Sequence, residues 1–137
     1  MGLILDSSVV ISGERRGQTV RQILEQLEMV YGAIDIGLSV VSVAELMHGA
    51  YRAGSDSRLQ QRLAFIERLC MDVPVYPLTV EIARTVGRIE GLQAAKGIMI
   101  SFEDLVIGAP PCNLDLGLQR LNVRDFARIP DLAIAAL

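Results

Sequence analysis

Apolar residues along this chain fall into two kinds of pattern. Short segments of strand length occur at Leu3-Ile4-Leu5, at residues 34–38 and at Val73-Pro74-Val75-Tyr76-Pro77, where the prolines suit an edge strand or strand ends. Between them the spacing becomes helical. Val20, Ile23, Leu24, Leu27 and Val30 recur over residues 19–31, with Glu25 and Glu28 on the opposite face. Residues 56–70 carry Leu59, Leu63, Ile66 and Cys70 at similar spacing. Ser39 or Ser42 can cap a helix through residues 44–52, and Thr79 one over residues 80–93, with Glu81 in its first turn. Ser101 and Asp104 resemble a capping box at the head of a further helix. That helix is expected to stop at Ala109, because Pro110-Pro111 lose backbone donors and clash with the preceding turn. Residues 117–121 read as a weak fourth strand, and the tail after Pro130 can add a short last one.

Strands alternating with helices predict an α/β fold: a short, mostly parallel sheet covered by helices on both faces, three layers in all. At 137 residues the chain is of a size for one core, so residues 1–137 are expected to form a single domain. Apolar residues make up 51% against 4% aromatics, which excludes disorder and makes the core aliphatic. No apolar stretch approaches the roughly 20 residues of a membrane span, and Asp6 interrupts the N-terminus before a signal peptide could form. Cys70 and Cys112 do not make a disulfide framework and read as reduced, mostly buried thiols. These features point to a cytoplasmic protein. Thirteen basic against sixteen acidic residues leave a net charge of −3, which argues against binding nucleic acid through a broadly basic surface.

In parallel sheets, ligand-binding groups gather beyond the carboxyl ends of the strands. Asp6 follows the first strand directly, as a helix N-cap or as a functional acid. Glu45 sits in a helix otherwise built from residues such as Ala44, Leu46 and Met47, with His48 and Arg52 on its face. Asp104 lies in a helix first turn beside Glu103. Each alone has a structural explanation: a cap, a solvated stripe, a cap again. Together they are three acids that a parallel sheet can bring to one edge, where like charges repel unless a cation joins them. Oxygen donors without a Cys/His cluster favour Mg²⁺ or Mn²⁺, and such sites suit phosphodiester hydrolysis.

Here the residues carry a resemblance. Leu3-Ile4-Leu5-Asp6-Ser7-Ser8 resembles the opening of PIN domains, and Ser39-Val40-Val41-Ser42-Val43-Ala44-Glu45 their second segment. Phe102-Glu103-Asp104-Leu105-Val106 resembles the third and Leu121-Asn122-Val123-Arg124-Asp125-Phe126 the fourth, in order over essentially the whole chain. By pattern the chain is most similar to VapC-type toxins. The resemblance implies a PIN-like fold and an Mg²⁺- or Mn²⁺-dependent endoribonuclease whose metal-binding acids match Asp6, Glu45 and Asp104. The fourth acidic position falls at Asn122, with Asp125 nearby as a substitute, and Ser8 matches a small polar residue that helps order the site. It further implies a cognate VapB-type antitoxin that covers the site, and toxin homodimers within the toxin–antitoxin complex.

Two positions depart from the family pattern, Pro110-Pro111 after the third acid and Arg120 where a Thr is usual. They support a second reading, a catalytically impaired PIN-fold protein that acts by binding its antitoxin. A receiver domain is excluded, since Asp6 stands alone and Lys96, the only lysine, is not at a strand end. His48 reads as a surface or packing residue. Arg15 and Arg16, placed in the loop after the first strand, either meet RNA phosphate or are solvated; Arg120, Arg124 and Arg128 add local basic charge.

Overall fold

The central strand β1 (Gly2–Leu5) is paired in parallel on both sides, with β2 (Asp35–Ser39) and with β4 (Leu116–Gln119). The computed structural model describes residues 2–114, 116–119 and 133–135. Two outer strands, β3 (Val75–Tyr76) and β5 (Ala133–Ala135), complete a five-stranded sheet in the order β3-β2-β1-β4-β5, parallel throughout. The helices are α1 (Ser7–Arg15), α2 (Val20–Tyr31), α3 (Val40–Tyr51), α4 (Asp56–Asp72), α5 (Val80–Ala94) and α6 (Phe102–Leu114).

Strand side chains alternate between faces, and β1 uses that alternation to nucleate two cores. Leu3 and Leu5 join Val9, Val10, Ile23, Leu27, Leu38, Leu46, Ile66 and Leu69 under α1 to α4. Ile4 points the other way, into Val86, Ile89, Leu105, Val106 and Ile107 from α5 and α6. All three β1 side chains are buried. The expected three-layer α/β fold is therefore present, its helices split between the faces by the reversal of strand order at β1.

Local signals explain most helix starts. Thr19 and Gln22 cap α2 reciprocally, Thr79 caps α5 as anticipated, and Ser55 caps α4. Of the two candidate caps for α3, Ser39 serves: its Oγ accepts from the Val41 N–H at 3.2 Å, so the helix starts earlier than residue 44.

Four expectations change. Arg15 and Arg16 are not in a loop; they end a separate helix, α1, which Asp6 caps. Cys70 is exposed, because the inward stripe of α4 runs through Ile66, Leu69 and Val73, and Cys70 falls about 100° round from Leu69. The third strand is shorter than its apolar run, two residues at the sheet edge between flanking prolines. Helix α6 continues through Pro110-Pro111 to Leu114. The buried Leu105, Val106 and Ile107, ahead of the prolines, fix α6 against α5 and β1. Burial of each contributes about 1.5–3 kcal/mol and holds the turns that carry Asp104, whatever the prolines cost further on.

Gly37 in β2 is required by contact. A β-carbon there would overlap the Tyr76 ring and come within 3.1 Å of Ile4 Cδ1. Gly37→Ala is expected to cost about 1–3 kcal/mol, as overpacking does. A urea unfolding midpoint unchanged from the parent would show that Tyr76 yields freely and that the contact carries no weight.

Candidate active site

The carboxyl ends of β1 and β2 deliver the first two acids by different routes. Asp6 is the residue after β1, held in extended conformation (φ −82°, ψ 152°) as the N-cap of α1. Its Oδ2 accepts from the Ser8 N–H at 3.3 Å and from Ser8 Oγ at 2.5 Å. The capping and functional readings of Asp6 thus describe one geometry, a buried carboxylate fixed by the helix it starts. Glu45 stands one and a half turns into α3, which leaves β2 without a loop. Asp104 lies in the first turn of α6, where its N–H donates to Ser101 Oγ at 3.2 Å.

Ser7, buried beside Asp6, donates from Oγ to Glu45 Oε2 at 3.0 Å, bridging α1 and α3. Two neighbouring serines therefore hold two different acids: Ser8 turns back to Asp6, and Ser7 reaches across to Glu45. Successive residues on a helix point about 100° apart, so a hydroxyl pair in a first turn serves two directions. Ser8 was expected to order the site; the part played by Ser7 was missed, although the adjacent hydroxyls were its visible signal.

Glu45 reports the electrostatics. Its pKa is raised, first by partial burial, then by the charges of Asp6, Asp104 and Glu103, while the Ser7 hydrogen bond acts in the opposite direction. Asp6 and Asp104 thus both act on Glu45 at one edge of the sheet, and Glu103, the neighbour of Asp104, adds to the same field. They do not close into a cage: among the described residues no three His, Cys, Asp or Glu side chains are gathered tightly enough to hold a metal ion. The donor set still fits a hard divalent cation. It consists of carboxylate oxygens whose mutual repulsion such an ion relieves, and Mg²⁺ binds through one or two carboxylates with several waters. Asn122, Asp125 and Arg120 lie outside the described residues.

His48 is exposed, in keeping with a surface role. Beside Glu45, a cavity of about 520 Å³ opens between α1, α3 and α4, with Arg15, Arg58 and Arg62 in its walls. Arg58 and Arg62 were not anticipated, because nothing local in α4 marks them apart from other solvated arginines.

The raised pKa of Glu45 gives a pH-dependent stability with a definite sign. The folded protein binds this proton more tightly than the unfolded chain, so ionised Glu45 opposes folding. Its penalty is absent below the ordinary glutamate value of about 4.3 and grows as pH rises through the raised folded value. In chelator, Glu45→Gln is therefore expected to raise the thermal midpoint at pH 7, with the gain vanishing near pH 4. Equal gains at both pH values would refute the electrostatic origin.

Residues 3–109 match the PIN domain family. Ribonuclease VapC1 of Rickettsia felis is 31% identical over 134 residues, which cover 98% of this chain and 95% of that protein. Among solved structures, VapBC-1 from nontypeable Haemophilus influenzae is 26% identical with a TM-score of 0.80, covering 99% of this chain and 98% of its own. VapBC2 from Rickettsia felis, bound to a promoter DNA fragment, reaches a TM-score of 0.82 at 19% identity and covers 100% of this chain and 99% of its own. With a family match over most of its length, a strand order that carries Asp6 to the sheet edge and a relative of this similarity, the chain belongs to the PIN domain family, in its VapC branch.

Proposed function

We propose that this chain is the toxin of a type II toxin–antitoxin pair, an endoribonuclease that hydrolyses RNA phosphodiester bonds with Mg²⁺ or Mn²⁺ as its cofactor. The observation that carries the reading is the shared field of Asp6, Glu45, Asp104 and Glu103 at the carboxyl edge of the sheet. Relatives named VapC ribonucleases and neighbours that are VapBC complexes support it.

Asp6, Glu45 and Asp104 would hold the ion. When bound, a divalent ion supplies a Lewis acid that stabilises charge on phosphoryl oxygens and lowers the pKa of water. The chain's own residues prepare that chemistry. Ser8 pins Asp6 Oδ2, Ser7 sets the direction of Glu45 Oε2, and the first turn of α6 presents Asp104. Fixing these carboxylates before substrate arrives removes reorganisation from the reaction. On the family pattern Asn122 takes the fourth corner, with Asp125 near it in sequence. The assembly is a VapB-type antitoxin with a toxin homodimer, each toxin a single domain over residues 1–137. No helix among the described residues is long and apolar enough to cross a membrane. The alternative of an impaired, purely antitoxin-binding form leaned on Pro110-Pro111 and Arg120; α6 runs on through both prolines with Asp104 in its first turn, while Arg120 lies outside the described residues.

Purified total RNA incubated with antitoxin-free protein tests the reading. Cuts at discrete positions are expected with Mg²⁺ or Mn²⁺ and none in chelator. Ser8→Ala should slow cutting by about 10–100-fold, as loss of a ligand-supporting partner does, and Asp104→Asn by more. Intact RNA under every condition, from folded protein that binds its antitoxin tightly, would favour the inactive binding form.

A further inference from the structure

The cleft beside the acids runs between α1, α3 and α4, lined by Glu45 and Glu14 and by Arg15, Arg58 and Arg62, over the side chains of Leu46 and Ile66. The three guanidinium groups are not equivalent. Arg62 is committed to the fold: Nη1 donates to the Gly49 carbonyl at 2.9 Å, and Nε stands 3.4 Å from Glu14 Oε1, tying α4 to α3 and α1. Arg15 and Arg58 are exposed and have no partner among the described residues. Two cations from different helices, unpaired among the described residues, thus face one cavity in a chain of net charge −3. Local charge of this kind draws a polyanion to one place that the whole surface would not attract.

We propose that this cleft seats the sugar–phosphate backbone of single-stranded RNA next to the bond that is cut, Arg15 and Arg58 each taking a phosphate. The assignment rests on the ribonuclease reading and extends it to the path of the strand. A guanidinium fork matches two phosphate oxygens and stays charged at any working pH. The acids at the sheet edge repel a polyanion, and cations on an adjoining wall offset that repulsion where the strand leaves the scissile position. Leu46 and Ile66 close the cleft from below as core side chains, so its recognition is of the backbone; a single strand, unlike a stiff duplex, can bend to bring successive phosphates to two arginines on different helices. Arg62, already bonded, holds the walls at fixed spacing instead of binding the strand.

The test compares Asp104→Asn protein with the same protein also carrying Arg15→Gln and Arg58→Gln, binding a short single-stranded RNA oligonucleotide over a range of salt. Affinity at low salt is expected to fall about tenfold, and the slope of log affinity against log salt to flatten by about 1.4, two contacts at roughly 0.7 each. Arg15→Lys with Arg58→Lys should recover the slope, and the thermal midpoint should not move, since both side chains are exposed and unpaired. In the otherwise wild-type protein the double Gln variant should lose kcat/KM chiefly through KM. If wild-type protein cuts RNA and the double variant binds with unchanged affinity and slope, the cleft assignment falls and the ribonuclease stands. Unchanged RNA binding with weakened antitoxin binding would give the cleft to a protein segment and overturn the proposal as well. Protein that neither binds nor cuts RNA in any form would overturn both readings together.

Discussion

Everything in this molecule is arranged around a strand of four residues. β1 is hydrogen-bonded on both sides, and its three apolar side chains are divided between two cores, Leu3 and Leu5 to one face and Ile4 to the other. A strand so enclosed has no freedom of register, because a slip of one residue would exchange the faces of all three side chains. The position of the next residue is fixed as a result. Asp6 is buried not because its own chemistry favours burial but because the strand before it and the helix after it leave it nowhere else to stand.

Holding acids close together without a counter-charge is costly, and the structure distributes that cost. Asp6 is stabilised by the hydroxyl and amide of Ser8, and Glu45 by Ser7. Glu45 remains the member under strain, its carboxyl pushed up by burial and by three neighbouring charges. The hydrogen bonds direct the acids; they do not neutralise them. The cost of ionising these neighbours together falls most clearly on Glu45.

Much of this was legible in the sequence, and the exceptions share a cause. The central strand, the helix starts at Thr19, Thr79 and Ser101 and the convergence of Asp6, Glu45 and Asp104 follow from local rules: apolar runs, hydroxyl caps and the placement of acids after strands. Those rules act over a few residues, so they carry over well. Where they failed, distant packing decided. Helix α6 runs on past Pro110-Pro111 from turns that Leu105, Val106 and Ile107 pack against α5 and β1, and the stripe of α4 shifts to Leu69 and leaves Cys70 outside. Ser7 was one of two similar hydroxyls, and only the approach of α3 to α1 singles it out. Arg58 was invisible for the same reason, since its meaning lies in a cavity shared by three helices.

The order of the strands also governs when the site comes into existence. β1 finds one neighbour, β2, within the first forty residues, but its other neighbour is β4, which begins at Leu116. Asp104 arrives on the helix that precedes it. A ribosome must therefore complete most of the chain before the acid from α6 can meet those from the first two segments. Products ended between Glu45 and Asp104 would carry the first two acids and still lack the third. For a cell that makes such a protein, synthesis itself delays assembly of the acid cluster until the chain is nearly whole.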